Sequence, residues 1–262
     1  FNENISFWDT SNVLGMQLTF AGASSFNQDI SNWNTQNVGA MNGMFAGATS
    51  FNQNIGGWDI SSVTDTWEMF LYASSFNQNL SSWNTSNIIN MRSMFEGALT
   101  FNQNISNWDT SSVTDMSRMF FEATSFNQNI GGWNLINVLL IDNMFNGATV
   151  FNQNIGGWNT SNVFGMSGVF DSAESFNQDI SNWITSSVKN MESMFYGAYS
   201  FNKDIGNWDT SQVNNMNNMF RDASVFNQDL SNWCVEIITN EPENFATNAA
   251  LTQENQPVWG AA

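Results

Sequence analysis

Apolar residues fall at fixed places in a 25-residue period along this chain. The frame is Phe-Asn-Gln-Asn-Ile-x-x-Trp, as in Phe51 to Trp58, and its Phe recurs from Phe1 to Phe226 with nothing inserted or lost. The Trp of the frame runs from Trp8 to Trp233. A fixed period of this size marks stacked copies of one supersecondary unit, each touching its neighbours.

The unit Phe101 to Ser125 shows two kinds of patterning. Val113, Met116, Met119, Phe120 and Ala123 recur at helix-like spacing, which predicts a short helix or successive 3₁₀ turns. Asp109, Thr110 and Ser111 precede them with oxygens suited to the first free amides. Gly22, Gly47, Gly97, Gly147 and Gly197 stand where a helix stop is expected. Phe-Asn-Gln-Asn-Ile has no helical period and is bounded by Ser and Gly, so it reads as a short strand. The expected fold is an α/β repeat solenoid, leucine-rich-repeat-like, of about ten coils at about 4.8 Å per coil. It has a stacked parallel sheet on one side and short helical turns on the other. Residues 1–233 form the solenoid. Residues 234–262, where the pattern dissolves, form a C-terminal cap.

The Asn after each Phe is present throughout, and Asn27, Asn52, Asn77, Asn102, Asn127, Asn152, Asn177 and Asn202 are expected to form an inward ladder bridging adjacent coils. The methionines, at core spacing, read as filler rather than ligands.

Composition narrows the function. There are 23 acidic residues against 5 basic, a net charge of −18, and no basic patch to neutralise phosphates. No nucleic-acid partner is expected. The charge suits solubility of an aromatic-rich rod. No apolar run reaches membrane-span length. The chain begins on Phe1 without Met or a leader, and reads as a mature or excised piece of a longer protein. Cys234 is the lone cysteine, so an internal disulfide is not expected. Histidine is absent, and rows of identical groups offer no asymmetric acid and base, so an enzyme is the poorest fit.

Three constellations carry candidate chemistry. Asp179, Asp204 and Asp229 occupy the position before the Ile or Leu of successive units. Stacked carboxylates either form a solvated acidic edge or hold a weak calcium ion through oxygen ligands; no other cofactor is expected. Thr10, Thr35, Thr85, Thr110, Thr160, Thr185 and Thr210 form a row of the kind that can bind ice or sugar lattices, though capping accounts for it. Leu135, Ile136, Leu139, Leu140 and Phe164 break the polar outer face and suggest a partner-binding patch, with drift in the repeat as the alternative. Trp67, Leu71, Tyr72, Phe121, Tyr196 and Tyr199 also occupy normally polar places.

The segment Met94 to Met116 carries Met-Phe-x-Gly-Ala-x-x-Phe-Asn-x-x-Ile-x-x-Trp-x-Thr-Ser-x-Val-x-x-Met. This unit resembles the repeat of BspA-type bacterial surface proteins, and the resemblance covers essentially the whole chain. Departures are local: Thr66, Ile141, Val169, Ile184 and the pair Leu135 and Ile136. The resemblance implies a leucine-rich-repeat-like solenoid, secretion and display at the cell surface, and transfers no catalytic residues. The functional expectation is a non-enzymatic extracellular binding or adhesion module, contacting protein or glycan at a cell or matrix surface. The alternative is a self-associating subunit of an extracellular fibre, packed head-to-tail or laterally.

Overall fold

The structure, a computed structural model, describes residues 1–261. Each 25-residue unit forms one coil, numbered here from position 1 at its Phe. Phe1 itself is exposed, but from Phe26 to Phe226 the position-1 phenylalanines are fully buried. They share one continuous core with Ile or Leu at position 5, Val at 13, Met at 16 and 19, Phe at 20 and Ala at 23. The rings form columns along the stack. Phe101 and Phe126 lie 6.1 Å apart and nearly parallel, and Phe120 packs on Phe126 at 3.9 Å. Trp108 and Trp133 lie 6.4 Å apart, parallel within 2°.

The coils are not built from strands and helices. Among the described residues the only helix is the 3₁₀ turn Gln253–Asn255. β pairing among them is confined to isolated parallel bridges joining position 15 of successive coils, from Gly15 with Ala40 to Asn190 with Asn215. The expected α/β solenoid, with a parallel sheet facing helical turns, is therefore corrected to a stack of turn-built, non-helical coils.

The sheet fails because side chains replace one half of its ladder. Oδ1 of Asn27 accepts the backbone N–H of Asn52 at 2.9 Å, in place of a backbone carbonyl. The same bond runs from Asn52, Asn77, Asn102, Asn127, Asn152, Asn177 and Asn202 to the N–H one coil on, at 2.9–3.0 Å. These asparagines lie at the surface, exposed or half-exposed. In most coils the following Gln also donates its Nε2 to the same oxygen, as Gln153 does to Asn127 at 2.9 Å.

The helix fails because its amides bond outward. Met116, Arg118, Phe120 and Glu122 donate their N–H groups to Leu140, Asp142, Met144 and Asn146 of the next coil. An α-helix would need those donors within the segment. Overlapping turns close it instead, such as Met119 N–H to Met116 O and Phe121 N–H to Arg118 O. The left-handed φ that ends a helix recurs at positions 18 and 22: Arg118 has φ 58° and Glu122 φ 54°. Glycine takes the place without strain at Gly43, Gly97 and Gly168.

At the C-terminal end the stacking changes. Phe220 and Asp222 donate to Phe245 and Thr247, lengthening the offset from 24 residues to 25 where Pro242 enters. Phe245 turns edge-on to Phe220, and Trp259 edge-on to Phe245, so the parallel ring column stops. Among the described residues no helix is long and apolar enough to cross a membrane.

Candidate functional site

The sequence-predicted residues fall in three places. Asp179, Asp204 and Asp229 each turn Oδ1 back to the backbone N–H two residues on, at 2.9 Å. Hydrogen bonds from Ser181 hold the Asp179 carboxyl below its usual range, with Lys203 adding to them. Ser231 does the same for Asp229. Among the described residues no three His, Cys, Asp or Glu side chains gather where they could hold a metal ion. The three aspartates sit in local turns rather than in a shared oxygen cage.

The threonine row is buried. Oγ1 of Thr110 donates to Asn134 O at 3.0 Å and accepts the Asn134 N–H at 2.9 Å, so it fastens one coil to the next. Leu135 needs correction for the same reason. It occupies the threonine position, is fully buried and belongs to the core, not to an outward patch. Leu140 is half-buried at the bridge position, between Asp115 and Gly165. Ile136, Leu139 and Phe164 remain exposed.

Leu139 lines a groove of about 720 Å³ that crosses coils three to six. One wall is position 12, with Ser62, Asn87, Ser112 and Asn137; the other is position 14, with Thr64, Ile89, Thr114 and Leu139. Why the walls stand where they do follows from the backbone. Position 14 donates its N–H to position 14 of the preceding coil, as Leu139 does to Thr114 at 2.9 Å, leaving the side chain free to face outward. Position 12 is anchored by its own side chain: Asn87 Nδ2 donates to Ser61 O and Asn137 Nδ2 to Ser111 O, at 2.8 and 2.7 Å. Ser62 and Ser112 donate their hydroxyls to Gln36 O and Ser86 O. The walls alternate with a two-coil period, hydroxyl pairs on coils three and five and amide–aliphatic pairs on coils four and six. Phe164 continues the outer row into coil seven, 48% exposed.

A second irregularity lies on the face of positions 17 to 22. Arg118 grips Glu96 with two bonds, Nη2 to Oε1 at 2.6 Å and Nε to Oε2 at 2.9 Å. The Tyr72 hydroxyl reaches the same carboxylate at 3.3 Å, and the guanidinium lies 3.9 Å over the Phe121 ring. Burial pushes Glu96 up, but Arg118, Ser93 and Tyr72 outweigh it and hold the carboxyl below its usual range. The pair is nearly closed to solvent on the Glu side, so it joins three coils rather than awaiting a ligand. A smaller depression of about 240 Å³ holds Asp171 and Glu192, and burial pushes the Asp171 carboxyl above its usual range.

Sequence reasoning placed Leu139 and Phe164 on an outer face but missed the groove and the Glu96 clamp. The groove had a signal: Ser61 to Asp65 and Ser111 to Asp115 are the same Ser-Ser-Val-Thr-Asp, two units apart. The clamp had none, because its partners come from three coils and no spacing links them.

Comparison with curated proteins returns no match. A family model described as "Mycoplasma protein of unknown function, DUF285" matches residues 1–98, 75–167 and 141–259, overlapping segments that span almost all the coils and the closing segment. This repeat-built chain belongs to that family.

Proposed function

We propose that this chain is a non-enzymatic binding module that works outside the cell, displayed at a surface, and holds a macromolecule in the groove across coils three to six. The observation that carries the reading is the groove itself. Its position-14 row runs without a gap from Thr64 to Leu139; Ile89 and Leu139 are exposed and their side chains make no bond to a neighbouring coil, while the Thr64 and Thr114 hydroxyls bond the preceding coil. Ile136, Leu139 and Phe164 add apolar contact area beside polar walls, the mix found at recognition sites. The likeness of the unit to BspA-type surface repeats supports display and adhesion.

The test is adherence of beads coated with the chain to cells and to matrix, with Leu139→Asp and Ile136→Asp compared with the parent. Loss of adherence in both variants, at unchanged melting temperature, is the expected result. Adherence equal to the parent would sink the groove reading. A concentration-dependent rise in sedimenting mass that Leu139→Asp abolishes would reassign the groove to contact between copies.

A further inference from the structure

We infer that the groove takes an uncharged, extended β-linked glycan lying along the stack. The inference rests on the reading of the groove as the binding face, and names its occupant.

Charge comes first. No lining residue of the groove carries a charge, on a chain of net charge −18. Asp65 and Asp115 stand one residue beyond Thr64 and Thr114. An anionic polymer would meet repulsion with no cation in the groove to offset it. The hydrogen-bond balance comes second. The wall hydroxyls of Ser62 and Ser112 are committed to carbonyls of the preceding coil, and so is one amide hydrogen of Asn87 and of Asn137. The Thr114 hydroxyl points to Ile89 O at 3.3 Å. What faces outward is mainly acceptor capacity, the Oδ1 atoms of Asn87 and Asn137 and the hydroxyl lone pairs. A peptide strand would bring one carbonyl for every N–H, and those carbonyls would find few donors. A polyhydroxyl chain supplies donors along its whole length, and its hydroxyls rotate to suit.

Geometry comes third. Coils joined by parallel bridges repeat at about 4.8 Å, close to the rise of one sugar in an extended β-linked chain. In such a chain alternate sugars are flipped, so its chemistry repeats every second sugar. The walls also repeat every second coil. Ile89 and Leu139 offer apolar contact to ring faces on alternate coils, and Phe164 adds a half-exposed aromatic ring one coil on, before Lys189 follows in the same row.

Calorimetric titration of the whole chain tests this with four hexasaccharides: cellohexaose and chitohexaose (uncharged, β-1,4-linked), maltohexaose (α-linked) and a hyaluronan hexamer (anionic). Saturable heat with cellohexaose or chitohexaose is expected, with binding of maltohexaose and hyaluronan weaker by about tenfold or more. Asn87→Leu, which removes the amide at similar size, should weaken the favoured hexamer by roughly threefold to tenfold, with the melting temperature lowered only by the lost, water-exposed bond to Ser61 O. Leu139→Asp should weaken it at least as much. Absence of heat with both β-1,4 hexamers at millimolar concentration overturns the inference, as does equal binding of maltohexaose or hyaluronan. Heat unaltered by both variants also overturns it, by placing the sugar elsewhere. If adherence depends on Leu139 while no hexamer binds or competes, the glycan inference fails and the groove reading stands. If adherence ignores Leu139, the groove reading itself fails.

Discussion

Between Phe101 and Thr110 the coils are joined largely by side chains; between Thr114 and Glu122 they are joined by backbone. On the first arc, Asn102 Oδ1, the Trp108 indole N–H and Thr110 Oγ1 each bond a neighbouring coil. A change of residue there removes a bond between coils, as Leu135 does at the threonine position. On the second arc, five N–H groups from Thr114 to Glu122 bond carbonyls of the adjacent coils, and any residue other than proline supplies them. The repeat is accordingly rigid in sequence on the first arc and loose on the second. The groove and the Glu96 clamp both use the loose arc or its margin. The groove pairs one wall whose side chains bond the preceding coil, at position 12, with a row at position 14 whose residue type the backbone bonds leave free to vary.

The largest effect expected from breaking this contrast is at a tryptophan. Trp133→Phe removes the bond from Nε1 to Ile105 O, 3.2 Å, and leaves space in a filled column. It should cost about 3 kcal/mol in urea unfolding. Next is Asn127→Leu, which leaves the Asn152 N–H and the Gln153 amide without their acceptor and should cost about 2 kcal/mol. If either cost matches that of a change on the second arc, the contrast is wrong.

Glu96→Gln tests a place where the loose arc has built a charged side-chain link, and should cost roughly 1–2 kcal/mol at neutral pH. Its pH dependence is a sharper check. The folded carboxyl sits below its ordinary value of 4.5, so its contribution is present above that pH and is lost as pH falls through the lowered folded value. The stability gap between parent and variant should therefore close on acidification. A gap that widens would contradict the ion pair. Ser193→Gly probes the strain that the loose arc carries. Ser193 has φ 54°, and Gly168 holds the equivalent position one coil earlier. A gain of about 0.5–1 kcal/mol is expected. Smallest is Asn87→Leu, which loses only a water-exposed bond to Ser61 O and should cost about 0.5 kcal/mol while altering the groove.

The period, the core positions and the change of pattern after Trp233 were legible because burial repeats with the sequence. The local conformation was not. Val113, Met116, Met119 and Ala123 have spacings that a helix and a run of overlapping turns share. The deciding feature is the sign of φ at Arg118 and Glu122, residues that do not announce it. Gly97 and Gly147 did announce it, but a helix stop and a left-handed turn position call for the same residue. Asn102 was read as part of a strand because an amide side chain that substitutes for backbone leaves the alternation of apolar residues unchanged. Leu135 looked outward because a threonine usually marks surface, and here its column is interior.

The indole column has an optical consequence. Trp108 and Trp133 are parallel at 6.4 Å, and Trp158 and Trp183 at 6.1 Å. Chromophores this close and this aligned share their excited states. The ultraviolet absorption of the indoles should therefore be reduced by hypochromism that grows with the number of consecutive stacked rings. Interrupting the column at Trp133 would divide one long coupled array into two shorter ones. The signal then becomes a measure of how many coils remain in register as the rod unravels.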